Sequence, residues 1–436
     1  MRGGKSLFIL RRTGLATLTL WTLALPAEAQ LPRARAEAVG MSSVRLARIP
    51  AAMRRYVEQG DVVGVVTLVA RDGRMVELDS AGYRDKASRS PVGRNTIFRI
   101  ASMTKPVTSV AAMMLVEEDK LHLDDPVSKY IPAFEKTRVR AGRGDSLVAA
   151  ERPMTVHDLI THRSGLVYGF IDTSAVGDRY RAAHVMDGVD QGSDTQAENV
   201  NRLAAQPLAF QPGHEWRYGL SIDVLGRVVE VASGMSLAEF FRQRIFQPLG
   251  MHDTGFRVPD EKLGRLATAY TESHDSLRPM AAPDVFLDGR LPMGRFSGPG
   301  TRGSDSFFSG GAGLASTVGD YVRFCQMLLN GGVLDGVRLL SPKTIELMSS
   351  DATGDLTNPL GDSGIGFGLG FAVVRDLGAT GKLGSPGMLS WGGILGTSFW
   401  IDPKERLIGV MMTQQFPNAD GLSDTFQTLV YQAVTR

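Results

Sequence analysis

Apolar positions alternate or run together in short stretches near both ends of the chain, and between those ends they recur with helical spacing. Residues 51–58 read as a helix. Residues 62–70 and 75–81 then read as two strands joined at the turn dipeptide Asp72-Gly73, a hairpin. Toward the other end, residues 368–374, 398–401 and 407–413 repeat the strand pattern, with Asp402-Pro403-Lys404 as a turn, and a helix over 420–433 follows. The middle is mostly helical: 105–118, 155–161 stopping near Gly165, 221–232 stopping at Gly234, 236–244, and 318–329 before Gly331-Gly332. Residues 187–194 and 283–305 are rich in Gly and Asp and read as long loops of the kind that wall a cleft. This order predicts an α/β (α+β) fold. Its sheet is built from about 42–100 and 366–436, a mainly helical region of about 101–365 is inserted, and a cleft lies at the junction.

The N-terminus changes the picture of where the protein works. Arg2, Lys5, Arg11 and Arg12 precede an apolar run from 15 to 25, followed by Pro26 and Ala27-Glu28-Ala29. A basic start, a short apolar core and small residues before the cut describe a secretory signal peptide over 1–29, leaving one domain over 30–436 and a periplasmic or secreted location. The run falls short of the roughly 20 residues a spanning anchor needs, and no stable membrane association is expected after cleavage. Arg11-Arg12 leaves Sec and twin-arginine export both open. The whole chain of 436 residues carries a net charge of +2, and loss of four basic residues and Glu28 brings the remainder to about −1. A near-neutral chain without a basic cluster gives no support for nucleic-acid binding, which leaves a small molecule as the expected partner. Oligomeric state is not legible. The one cysteine, Cys325, sits in the apolar pattern of 318–329 and reads as a buried structural thiol.

A serine hydroxyl is a poor nucleophile until a base takes its proton, and lysine can act when its surroundings favour the neutral amine. Ser102 and Lys105, three apart, fall on one helical face, and Pro106 keeps a regular helix from extending far upstream, so Ser102 lies near a helix N-terminus. There its own N–H is free to hold an oxyanion, in the favourable field of the helix dipole. Ser-x-x-Lys alone is a weak pattern, equally satisfied by a capping serine and an exposed lysine. Context strengthens it, with a strand-like segment at 97–100 before it and an apolar helix after it.

Arg99-Ile100-Ala101-Ser102-Met103-Thr104-Lys105-Pro106 resembles the active-site segment of the serine β-lactamase and penicillin-recognising superfamily, and within it the family VIII carboxylesterases. Matching segments follow in that family's order at 155–166 (Thr155 to Leu166), 218–226 (Tyr218 to Gly226) and Trp391-Gly392-Gly393. The resemblance implies a β-lactamase/transpeptidase-like fold and casts Tyr218 as general base together with Lys105. A phenol beside an ammonium can relay the serine proton to the leaving group, although a buried, hydrogen-bonded tyrosine is the alternative reading of Tyr218. It also implies that Trp391, Gly392 and Gly393 lie on the sheet edge lining the cleft and that Ile394 gives the second oxyanion N–H; otherwise they form a tight bend packed by Trp391.

Two departures bear on substrate. Trp391 stands where β-lactamases and D,D-peptidases have a lysine, and Leu220 where β-lactamases have an asparagine. A lysine there would meet a carboxylate, so its loss favours an uncharged ester over a β-lactam or a peptide C-terminus. The expected function is an exported serine esterase acting on short-chain neutral esters, with no cofactor and no metal. The alternatives are a β-lactamase or D,D-peptidase-like hydrolase, or a penicillin-receptor-like binding protein that does not turn over. No Gly-x-Ser-x-Gly elbow or His-Glu-x-x-His helix is present, and the Gly-rich 298–303 has no strand before it or helix after it. His162 is expected to form hydrogen bonds beside Ser164.

Overall fold

The computed structural model describes residues 31–142, 146–188, 194–273, 276–280, 284–288, 291–296, 303–354, 356 and 363–436, together with Met1 and 3–4. The expected signal segment, 1–29, lies outside the described residues except for Met1, Gly3 and Gly4.

Strands from both ends of the chain share one antiparallel sheet. They are β1 (Gly64–Arg71), β2 (Arg74–Asp85), β3 (Ser90–Pro91), β4 (Ile365–Phe367), β5 (Ala372–Val374), β6 (Leu389–Gly392), β7 (Ser398–Asp402) and β8 (Leu407–Met412). Their spatial order is β4-β5-β6-β7-β8-β1-β2-β3, and the two ends meet where Val66 of β1 lies opposite Met412 of β8. Both β1 and β8 are buried along their whole length, because each face of the sheet is covered. Val65 and Val69 point outward to the helices α1 (Arg48–Gln59) and α5 (Leu422–Tyr431), while Val66, Leu68 and Ala70 point into the main core. Gly409 lies flat beneath the Trp400 indole, where a Cβ would come within 2.2 Å of the ring.

The main core lies on the inner face and is organised by α2 (Thr104–Glu117), whose residues 104–115 are all buried. A helix buried on every side belongs at the centre of a domain, and α2 packs there against α3 (Ser221–Ser233). The helix α4 (Val318–Leu329) backs the sheet, starts at the Thr317 cap and buries the free thiol of Cys325. Among the described residues, no helix is long and apolar enough to cross a membrane.

Several elements differ from their sequence reading. Of the strand expected over 368–374 only Ala372–Val374 (β5) forms, because Gly370 at φ +97° turns the chain back so that β5 pairs with β4, which ends before Gly368. The helix over 236–244 ends at Phe241 and passes into a π-helical turn, Arg242–Phe246. Within the expected loop 283–305, Asp284–Asp288 and Leu291–Phe296 pair as a hairpin. Most of the Gly-rich 298–303 and residues 189–193 lie outside the described residues. Short two- and three-stranded sheets also interrupt the helical middle.

Candidate active site

The segment carrying Ser102 is held from several directions before any side chain acts. Ile100 donates its N–H to the Leu314 carbonyl (3.0 Å), the Arg99 N–H meets Gln414 Oε1 (2.7 Å), and Thr104 Oγ1 accepts from the Leu314 N–H (3.1 Å). Tyr321 Oη donates to the Met103 carbonyl (2.8 Å). Ala101 sits at φ +41°, a left-handed conformation uncommon for a residue with a Cβ, and the surrounding bonds hold it there. Ser102 thus lies in a single 3₁₀ turn, Ala101–Met103, which leads directly into α2.

One turn further along, Lys105 is 0% exposed. A lysine nitrogen in a core needs partners, and Nζ lies within hydrogen-bond distance of three oxygens: Ser102 Oγ (3.1 Å), Tyr168 Oη (2.9 Å) and the Gly311 carbonyl (2.9 Å). Tyr218 Oη donates to Ser102 Oγ at 2.6 Å, and Lys105 Nζ lies 4.5 Å from the centre of its ring. Ser102, Lys105 and Tyr218 are therefore brought together in space. The Ser102 hydroxyl is thus contacted on two sides, by a lysine nitrogen and by a phenol.

Tyr218 reaches Ser102 because two segments pack as one. The Arg217 N–H bonds the His162 carbonyl (3.0 Å), and Ser221 Oγ meets Ser164 Oγ (2.8 Å). Gly219 lies so close to Leu166 that a Cβ would sit 2.3 Å from its carbonyl oxygen. The Tyr218 ring is walled by His162, Tyr168 and Trp391 at centroid distances of 5.0, 5.3 and 5.3 Å. The hydrogen bonds expected of His162 are not formed. The imidazole is 0% exposed, neither nitrogen has a partner among the described residues, and the ring packs against Trp216, Tyr218 and Phe367. Burial, then the positive charge of Lys105, push its pKa well below the usual histidine value and keep it neutral. Ser164 bonds Ser221 and the Leu166 N–H instead.

Trp391 and Gly392 end β6, which is third from the edge of the sheet and not outermost. They still face the cleft, because β5 pairs only with Leu389 and Ser390 and leaves the last two residues uncovered on that side. The Gly393 N–H closes a turn onto the Thr397 carbonyl (2.7 Å), with Ile394 at its tip. Among the described residues, the N–H groups of Ser102 and Ile394 have no acceptor, and both residues line the same cavity of about 520 Å³. Phe170, Ile171 and Trp391 make its walls mainly apolar. The cation among its described lining residues, Lys382, is held by Asp424 at 3.0 Å. Leu220 is buried in the main core.

Sequence reasoning missed three residues here: Tyr168 and Gly311, which bond Lys105 Nζ, and Asp223, whose Oδ1 accepts the Gly311 N–H at 3.2 Å. Tyr168 lies two residues beyond the 155–166 segment, and burial, then Tyr218 and the carboxylates Asp223 and Asp187, raise its pKa well above the tyrosine value. Asp223 lies inside the 218–226 segment, with nothing in the local pattern to mark it. No sequence signal pointed to Gly311.

The Beta-lactamase family model matches residues 49–433. Protein Rv1367c of Mycobacterium tuberculosis is 38% identical over 381 residues, covering 84% of this chain and 90% of that protein. Esterase EstB of Burkholderia gladioli is 34% identical over 377 residues, with the same coverage of each chain. Among solved structures, "EstCE1, a hydrolase with promiscuous acyltransferase activity" superposes with a TM-score of 0.79 at 30% identity, covering 89% of this chain and 99% of that one. With most of its length matched by the family model and shared with these proteins, the chain belongs to the Beta-lactamase family.

Proposed function

We propose that this chain is an exported serine esterase that hydrolyses short-chain, neutral carboxylic esters through an acyl-enzyme on Ser102. Membership of the family and likeness to EstB and EstCE1 support a serine hydrolase acting on esters. The observation that carries the residue assignment is the convergence of Tyr218 Oη (2.6 Å) and Lys105 Nζ (3.1 Å) on Ser102 Oγ at the floor of an apolar cavity.

In this reading Ser102 Oγ attacks the ester carbonyl as its proton passes to the Tyr218–Lys105 pair. The N–H groups of Ser102 and Ile394 hold the oxyanion. The pair then protonates the departing alkoxide, and water repeats the sequence to release the acid and restore the serine. Trp391, Gly392 and Gly393 line the substrate's path. The paired state of Lys382 leaves no free cation among the described lining residues to meet a carboxylate, which supports a neutral ester. Export rests on the N-terminal pattern and is tested by N-terminal sequencing of protein recovered outside the cytoplasm.

Ser102→Ala should lose hydrolysis of p-nitrophenyl butyrate and labelling by a fluorophosphonate while keeping its melting temperature; retained turnover would sink the assignment. The family match makes β-lactam or D,D-peptide hydrolysis the competing reading. Initial rates on nitrocefin, a D-Ala-D-Ala peptide and p-nitrophenyl butyrate separate these. A persistent substrate adduct by intact mass would instead mark a receptor.

A further inference from the structure

Lys105 Nζ is buried in the interior, yet none of its three hydrogen-bond partners is a carboxylate. Buried charge is retained where an opposite charge stands nearby. The structure supplies one through a single intervening residue. Gly311 accepts from Lys105 Nζ at its carbonyl (2.9 Å) and donates its N–H to Asp223 Oδ1 (3.2 Å). Asp223, on the first turn of α3, is 1% exposed. Its Oδ1 also accepts from Ser309 Oγ (2.5 Å), and Ser309 Oγ in turn accepts the Ala312 N–H (3.0 Å), so the carboxylate anchors the whole turn 309–312. The fit requires glycine, because a Cβ on Gly311 would come within 2.2 Å of Asp223 Oδ2. That second oxygen is buried with no partner among the described residues, so no donor there quenches its charge. Burial raises the Asp223 pKa, and the charge of Lys105 is the first influence opposing it.

We propose that Asp223 is a positioning residue. Through the turn 309–312 it holds the Gly311 carbonyl on Lys105 and keeps Lys105 an ammonium, so that the Ser102 proton goes to Tyr218. The inference rests on the proposed acyl-enzyme chemistry and assigns its base. With Lys105 charged, all three of its hydrogens are occupied and the nitrogen has no lone pair to receive a proton. In the reactive form Tyr218 has released to solvent the proton it donates to Ser102 in the resting arrangement, and its oxygen takes the proton from Ser102 as the Oγ–carbon bond forms and returns it to the leaving alkoxide as the carbon–oxygen bond breaks. The ammonium is unchanged at the end. The other titratable groups around Lys105 are Tyr168, His162, which burial keeps neutral, and Asp187 beyond Tyr168.

The test is the pH dependence of kcat/KM for p-nitrophenyl butyrate in Asp223→Asn, with Asp223→Ser as a second neutral replacement in case the first does not fold. Loss of the carboxylate weakens the hold on the ammonium and eases ionisation of the phenol. Both limbs of the profile therefore move toward lower pH, by about 0.5 to 1 unit for a charge acting across one residue. At the optimum kcat falls about tenfold and KM stays within about twofold, because Gly311 is no longer fixed. Unmoved limbs, with activity lost only in proportion to folded protein, would overturn the proposal. Ser102→Ala is run alongside: if it still turns over, the acyl-enzyme reading fails, whereas a dead Ser102→Ala beside unmoved limbs in Asp223→Asn refutes the positioning role alone.

Discussion

Replacing Tyr218 by Phe removes one oxygen atom, and the surroundings of that atom set the size of the effect. The bond lost is the one from Tyr218 Oη to Ser102 Oγ at 2.6 Å. The ring that remains keeps its neighbours His162, Tyr168 and Trp391 at 5.0 to 5.3 Å. A single partly buried hydrogen bond contributes about 1 kcal/mol net, so the melting temperature should fall by no more than about 3 °C. The chemical effect is much larger. A positioned general base contributes about 10²- to 10⁴-fold, which is about 3 to 5 kcal/mol of barrier. The oxyanion-binding N–H groups and the cavity walls are untouched, so a residual rate survives. Steady-state kinetics on p-nitrophenyl butyrate should show kcat reduced at least a hundredfold with KM little changed. A folded Tyr218→Phe protein with kcat within threefold of the parent would refute the reasoning and move the base elsewhere.

Two further outcomes test the frame around the site. Gly393→Ala places a Cβ 2.4 Å from both the Ile100 carbonyl oxygen and Thr397 Oγ1. The turn carrying Ile394 must shift, which lowers kcat at least tenfold and stability by about 1 to 3 kcal/mol; unchanged kinetics would mean that the Ile394 N–H plays no part. Asp320, buried at the start of α4, has its pKa raised by burial to about 6. A carboxyl whose folded pKa lies above its unfolded value destabilises the fold as pH rises through the interval between them, here from about 4 to about 6. Asp320→Asn should remove that slope and be more stable than the parent at pH 7.5 by up to about 3 kcal/mol, with no gain at pH 4, as read by urea unfolding. Equal differences at both pH values would contradict the assignment.

Sequence alone determined what depends on neighbours along the chain. The period of apolar residues marked the strands at both ends and the central helices, and spacing of three put Ser102 and Lys105 on one turn. Family order then pointed to Tyr218. Tertiary structure decided what depends on neighbours in space. Lys105 meets Tyr168 across 63 positions and Gly311 across 206, and Asp223 meets Gly311 across 88. No local period encodes such meetings. His162 shows the same limit from the other side. Beside Ser164 in sequence it read as a hydrogen-bonding residue, but the packing of Trp216, Tyr218 and Phe367 around it left its nitrogens without partners and kept it neutral. Hydrophobic patterning is written residue by residue, whereas the charge state of a buried group depends on the whole set of side chains that enclose it.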